Sequence, residues 1–307
     1  MFWIVKYQRK LVINTSIIEK MLSHIDLHTH STASDGSFPP AEVVRLAKDA
    51  GLKAVALTDH DTTDGLAEAM AAGQELEVEV IPGVEISAQF TDDTMHILGY
   101  FIDFLDGKLA ERLAVLKQAR KERNPKIVAK LNALGVSITM EQVERLSGGG
   151  QVGRPHIARA LLESGYVKSM QQAFDIYLKN GGKAYVEKYR FPPAEAMDMI
   201  RQAGGIPVLA HPFTLGLGSA FALKEVLQDL KAQGLAGVEI FYAEHTPEQE
   251  ALYLRLAQEL GLLATGGSDF HGDNKPDTGL GHIRSRNRLT YDLVVALKDW
   301  RQQEYGY

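Results

Sequence analysis

Short apolar segments recur along this chain, and one after another ends in histidine, aspartate or glutamate. Seven of them read as strands: 24–30, 53–59, 78–86, 95–102, 206–210, 237–242 and 262–266. Helical segments lie between many of them. Residues 39–50 begin with proline and stop at Gly51, and residues 247–260 stop at Gly261 in the same way; a proline start and a glycine stop mark helices. Strands alternating with helices predict parallel βαβ units and an α/β fold. In barrels and open sheets of that kind, working side chains gather at the carboxyl ends of the strands.

That end is where the polar residues fall. His28 and His30 sit in Asp26-Leu27-His28-Thr29-His30, and residues two apart on a strand share a face, so both rings can reach one ion. Asp35 follows in Ser34-Asp35-Gly36. The next strand ends in Thr58-Asp59-His60-Asp61, the third carries Gly83-Val84-Glu85, and His96 opens the fourth. Later come Ala210-His211-Pro212 and Gly267-Ser268-Asp269-Phe270-His271. Taken singly, His96 or His211 reads more readily as a hydrogen-bonded residue than as a ligand, and Asp35 or Glu85 as a loop cap or surface carboxylate. Recurrence at strand after strand favours a metal site instead.

The chain has no cysteine, so any metal is held by nitrogen and oxygen. Histidine with carboxylate suits Zn, Mn or Fe, Mg is admissible, and Ca fits less well. Nine candidate ligands (His28, His30, Asp35, His60, Glu85, His96, His211, Asp269, His271) exceed the needs of one ion, so two or three divalent ions are expected. Neighbouring ions would sit about 3.5–4 Å apart, lower the pKa of bound water and take up charge on a phosphoryl oxygen.

A net charge of −6 disfavours extended binding to duplex DNA, but not a small anion drawn to a metal cluster. No apolar run is long enough to cross a membrane. Residues 1–20 read as an extension before a start at Met21 and lack the pattern of a signal peptide, which favours a cytoplasmic protein. The barrel-like scaffold is expected from 21–103 and 190–307. Residues 104–189 break the rhythm, being highly charged and helical in pattern, and read as an inserted domain.

The order HxH, Asp in an SDG loop, TDHD, GVE, MHILGY, AHP and SDFH resembles the PHP (polymerase and histidinol phosphatase) superfamily, from about His24 to Gly281. The resemblance implies a distorted seven-stranded (β/α) barrel, TIM-like, with a trinuclear metal centre that cleaves phosphoesters. Carried over by motif, His28, His30, Glu85 and Asp269 would hold one ion. Glu85 would bridge to a second, bound by His96 and His211, and Asp35, His60 and His271 would hold the third.

Within the superfamily, residues 118–124 and 153–158 look like the substrate-binding elements of bacterial phosphoesterases acting on 3′,5′-nucleotide bisphosphates and, in some members, as 5′-to-3′ exonucleases on short RNA. Arg120, Arg123 and Asn124 lie at i, i+3 and i+4, so one helical face would offer two guanidiniums and an amide to a second phosphate. The competing reading is a solvated basic face paired with Glu122 or Glu111. Arg154 and His156 read as further substrate contacts or as a polar contact between domains. Pro125 would kink or start a helix just after Asn124. Asp35, His60 or His211 is expected to help protonate the leaving group, and Asp59 and Asp61 to orient ligand histidines or cap turns. The expected activity is hydrolysis of a nucleotide bisphosphate to a nucleoside monophosphate and phosphate. The alternatives are exonucleolytic trimming of short RNA, a histidinol-phosphate phosphatase, and a non-catalytic metal-binding module.

Overall fold

The computed structural model describes residues 24–91, 93–284 and 289–306; the extension expected at 1–20 lies outside the described residues. Seven strands form one sheet in chain order: β1 (His24–Thr29), β2 (Leu52–Leu57), β3 (Glu79–Phe90), β4 (Asp93–Tyr100), β5 (Ile206–Leu209), β6 (Gly237–Tyr242) and β7 (Leu263–Gly267). The described helices are α1 (Pro40–Asp49), α2 (Leu66–Leu76), α3 (Gly107–Ala133), α4 (Met140–Leu146), α5 (Arg154–Glu163), α6 (Met170–Ala173), α7 (Pro193–Gln202), α8 (Ala220–Ala232), α9 (Pro247–Leu260) and α10 (Asp292–Tyr305).

The sheet curls until its last strand meets its first. Asp269 N donates to His28 O at 2.9 Å, and His30 N donates to Phe270 O at 2.9 Å, giving a nearly closed seven-stranded barrel. Every pairing is parallel except at β4, which runs antiparallel to both neighbours. The parallel units expected of alternating strands and helices are present everywhere but at this strand. β3 runs on to Phe90 and β4 starts at Asp93, and a crossover between parallel strands needs about a dozen residues or more. The reversal sets His96 opposite Ser87, near the rim where the parallel strands end.

Alternation along the strands sorts the core into two layers. Ile25, Leu27, Ala54, Ala56, Ile81, Leu98, Tyr100 and Val208 form an inner cluster, closed at the amino-terminal end of the barrel by Tyr291, Val294 and Leu297. Outward-facing Val55, Leu57, Ile86, Ile97, Val238 and Ile240 pack under the helices, against Val44, Leu66, Ile200, Leu227 and Leu256. The helix ends are made locally. In α9 the Thr246 side chain accepts from Gln249 N, Pro247 opens the first turn, and Gly261 stops the helix at φ 61°.

Between β4 and β5 the chain builds a third cluster, with Ile127, Leu131, Ile138, Val143, Ile157, Leu161 and Leu178 at its centre. α3 serves both bodies: Leu109, Leu113 and Leu116 pack on the barrel, while Ile127 and Leu131 belong to the helical cluster. Pro125 neither ends nor starts this helix, which runs through it to Ala133. The ring lies on the exposed side, where the missing backbone bond is least damaging. No helix among the described residues is long and apolar enough to cross a membrane.

The seam between β7 and β1 leaves no room for a side chain. A Cβ on Gly267 would lie 2.4 Å from the backbone nitrogen of His28. Gly267→Ala is therefore expected to lower stability by about 3 kcal/mol, since overpacking against backbone cannot be relieved by a rotamer change. Chemical denaturation would measure it, and a shift below about 0.5 kcal/mol, the range of neutral surface changes, would contradict the seam as described.

Candidate metal centre

β1 carries one extra residue between Asp26 and Thr29 relative to β2. Such a bulge switches the alternation of side chains and is common beside working sites. Ile25 and Leu27 lie in the inner cluster, and beyond the bulge His28 and His30 also reach the barrel axis, where they meet Glu85 from β3.

Glu85 is the hub, and it is fully buried. Its Oε2 lies 3.3 Å from His28 Nε2, 3.2 Å from His30 Nε2 and 2.9 Å from His60 Nδ1. Its Oε1 lies 2.9 Å from His96 Nδ1 and 3.1 Å from His211 Nε2. Asp269 Oδ1 stands 3.4 Å from His28 Nε2 and 3.1 Å from His30 Nε2. Asp35 closes the other side, with Oδ1 3.2 Å from His271 Nε2 and Oδ2 3.9 Å from His60 Nε2. All nine residues expected as ligands thus converge on one patch at the rim.

The donors fit a cation. His28 Nε2, His30 Nε2, His60 Nδ1 and Glu85 Oε2 are buried, point at one another and make no hydrogen bond. A buried polar atom without a partner is costly, and divalent ions seated among these groups would satisfy them. Three groups of donors lie close enough for an ion: His30, Asp35, His60 and His271; His28, His30, Glu85 and Asp269; and His60, Glu85 and His96. His211 joins the last through Glu85 and stands 3.4 Å from His96.

Protonation follows the same logic. Burial would lower His30, but Asp269 and Glu85 outweigh it and raise the ring to about 10. Burial takes His96 down to about 4, against the pull of Glu85 and with repulsion from His60 and His211 added. Burial would raise the Glu85 carboxyl, yet His60 and His96 hold it well below its ordinary range. The carboxylates demand positive charge, and protons supply it where metal does not.

Several supports were not anticipated. Glu239 is fully buried; its Oε1 lies 2.9 Å from His28 Nδ1 and its Oε2 accepts from His211 N at 2.8 Å, so one carboxylate orients two rings of the cluster. Its signal was present as Gly237-Val238-Glu239, a second copy of the GVE that carries Glu85. Tyr242 Oη and Lys275 Nζ donate to Asp269 Oδ2 at 2.7 and 3.0 Å, leaving Oδ1 for the cluster. Asp26 accepts from Ser268 N at 2.9 Å and from Gly281 N at 2.7 Å, tying β1 to the segment that leads into Asp269. Asp59 accepts from Ser31 N and from the Ser31 and Ser34 hydroxyls, so it shapes the loop after β1 and grips no ligand ring directly. Asp61 accepts from Ser87 N at 2.7 Å and pairs with Arg120 and Lys188.

The helical segment places its cations over the rim. Arg120, Arg123 and Asn124 are buried, not solvated, and Glu122 is engaged by Gln118. Asn124 Nδ2 donates to Val152 O at 2.8 Å, which fastens the glycine-rich loop before α5. Within that loop Gln151 Nε2 donates to His60 O at 2.9 Å. His156 Nδ1 accepts from Gly153 N at 2.9 Å and caps α5, and Arg154 donates to Leu178 O at 3.0 Å.

Comparison with known proteins agrees with this geometry. The PHP domain model matches residues 26–189. The chain is 35% identical to a 3′,5′-nucleoside bisphosphate phosphatase of Chromobacterium violaceum, over 92% of this chain and 97% of that one. It is 36% identical to a 5′-3′ exoribonuclease of Haemophilus influenzae, over 82% and 91%. The crystal structure of a Bifidobacterium adolescentis protein assigned as a metal-dependent phosphoesterase superposes with a TM-score of 0.80 at 32% identity, covering 90% of this chain and 95% of that one. The chain belongs to the PHP domain family. It is a metal-dependent phosphoester hydrolase, which sets aside the non-catalytic module.

Two measurements follow. Glu239→Gln is expected to weaken metal binding about tenfold to a hundredfold, as loss of a carboxylate behind a ligand histidine does; metal content after dialysis would reveal it. In the metal-free protein at neutral pH, His30 carries a proton because its pKa lies near 10. An ion taking its Nε2 must displace that proton, so binding should release protons and tighten as pH rises from about 6 to 9. Titration of Mn²⁺ in buffers of different ionisation enthalpy counts the protons, and a count of zero would contradict the assignment.

Proposed function

We propose that this protein removes phosphate from a 3′,5′-nucleotide bisphosphate, giving a nucleoside monophosphate and inorganic phosphate. One observation carries the two-phosphate reading. Beside the donor cluster, Arg120 and Arg123 bury their guanidiniums with Nε of each unpartnered. Guanidiniums are held that way for an anion they can fork. The Chromobacterium violaceum relative, named for a nucleoside bisphosphate, supports the same substrate.

His28, His30, Glu85 and Asp269 would hold one ion; Glu85, His96 and His211 a second; Asp35, His60 and His271 a third, with Mn, Zn or Fe the best matches. Ions so held lower the pKa of water and offset charge on the phosphoryl group. The chain's own residues do the rest. Glu239 and the Tyr242–Lys275 pair keep rings and carboxylate aimed. Arg120 and Arg123 hold the phosphate that is not cleaved, and Asn124, Arg154 and His156 shape the wall around them. Asp35, His60 or His211 would help protonate the leaving oxygen; His211 turns one nitrogen to Glu85 and the other to the Thr214 hydroxyl.

A second reading has its own support. A cavity of about 880 Å³, lined by Arg120, Asn124, Lys117, Lys121 and the Gly148–Gly150 turn, adjoins the clamp and has room beyond one nucleotide. With the Haemophilus influenzae relative, named as a 5′-3′ exoribonuclease, it favours short RNA as an additional substrate.

A panel with added Mn²⁺ separates these: adenosine 3′,5′-bisphosphate, a 5′-phosphorylated RNA oligomer, histidinol phosphate and p-nitrophenyl phosphate. The bisphosphate should have the highest kcat/KM; equal turnover of p-nitrophenyl phosphate would defeat the two-phosphate reading. Asp269→Ala should lower kcat about a thousandfold or more with the fold retained, because an ion would lose a charged ligand. Arg123→Ala should raise KM for the bisphosphate about tenfold more than for the small ester, as expected for a hydrogen bond between charged groups.

A further inference from the structure

Lys188 lies at the end of the inserted segment, beyond its last helix, and is buried, with 8% of its side chain exposed. A buried lysine without a role is uncommon. Its ammonium donates to Ser87 Oγ and stands 3.3 Å from Asp61 Oδ2. The Arg120 guanidinium pairs with that same carboxylate oxygen. Two cations therefore meet at one atom, and a single carboxylate neutralises only one of them. Burial and the repulsion of Arg120, Arg123 and Arg154 press Lys188 well below the usual lysine range against the pull of Asp61, and burial with Arg120, Arg154 and Arg190 brings Arg123 down to about 9. Like charges a few ångströms apart repel by several kcal/mol near a protein surface, so this arrangement is built for an incoming anion.

The place is informative too. Ser87 and Glu85 are two residues apart on β3 and share its inward face. The Ser87 that holds the ammonium thus stands one strand step, about 7 Å along the backbone, from Glu85. A ribose with a phosphate at each end spans such a gap. Of the three N–H donors of the ammonium, two are placed on Ser87 and Asp61, and a third remains for a ligand oxygen.

We propose that Lys188 is a specificity-determining residue: held in place by Asp61 and Ser87, it contacts, beside Arg120 and Arg123, the substrate phosphate that is not being cleaved. This rests on the two-phosphate reading above and adds to it a residue from outside α3 and α5.

The test uses the full chain with Mn²⁺, comparing wild type, Lys188→Met and Lys188→Arg on adenosine 3′,5′-bisphosphate and p-nitrophenyl phosphate. Lys188→Met should raise KM for the bisphosphate about tenfold to a hundredfold, the worth of a charged hydrogen bond, with a clearly smaller change for the small ester. Lys188→Arg should recover most of the loss. Equal KM shifts on both substrates, or a fall in kcat alone on both, would overturn the assignment. So would wild-type preference for the bisphosphate persisting undiminished in Lys188→Met. A wild type without that preference would instead bring down the two-phosphate reading itself. Should Lys188→Met fold poorly, Lys188→Gln on the same two substrates gives the same comparison: an undiminished preference for the bisphosphate in that variant counts against the proposal.

Discussion

The rim of this barrel is organised around a carboxylate that solvent does not reach. Glu85 sits among five imidazole rings, each within 3.3 Å of one of its oxygens. An ionised carboxylate in such a place is tolerable only if opposite charge stands against it. The chain can supply that charge as protons on histidine, or receive it as metal. Both occupy the same nitrogens, so proton and ion compete directly. Burial of Glu85 therefore links the fold to the cofactor: the strands cannot close with Glu85 inside unless something positive comes with it.

Holding so many rings on one hub requires backbone that does not follow the strands. Asp61, His211 and Asp269 all have positive φ, at 53°, 23° and 56°, where a side chain is disfavoured. Each lies shortly beyond a strand, His211 and Asp269 after β5 and β7 and Asp61 after β2, and each lies in or beside the cluster. β1 and β6 carry register shifts, next to His28 and at Glu239 respectively. Strain at these positions is sustained by hydrogen bonds from outside the cluster. Ser87 N holds Asp61, Glu239 holds His211 N, and Tyr242 with Lys275 holds Asp269.

What could be read in the sequence follows from this division. The donors of the cluster are legible because chemistry restricts candidates to histidine and carboxylate, and a barrel puts them at strand ends. The antiparallel course of β4 is not legible in the strand pattern, because it depends on how far β3 extends, and Gln89 and Phe90 give no clear strand period. Glu239 escaped notice although its GVE repeats that of Glu85, since a buried carboxylate behind a histidine and one on a metal look alike in sequence. Asp59 and Asp61 differ by two positions and look equivalent, yet one shapes a loop and the other faces cations of the helical segment. Lys188 had no pattern at all. Its partner Ser87 is 101 residues away, and only the closed fold brings them together.

The segment Asp59-His60-Asp61 joins the two halves of the enzyme's task. The His60 ring turns to Glu85 and Asp35, into the donor cluster. Asp61 turns the other way, to Arg120 and Lys188, and Gln151 from the glycine-rich loop takes the His60 carbonyl. Adjacent residues of one turn thus answer to different bodies. An anion that draws Arg120 toward itself relaxes a charge pair one peptide bond from a ring of the donor cluster. Coupling over that distance needs no long path through the protein, only the rigidity of a turn whose backbone is pinned by Asp61 N to Glu85 O at 2.9 Å and Glu85 N to Asp59 O at 3.2 Å. Were Arg120 to hold a substrate phosphate as proposed, occupancy there and the alignment of His60 would be linked through this turn.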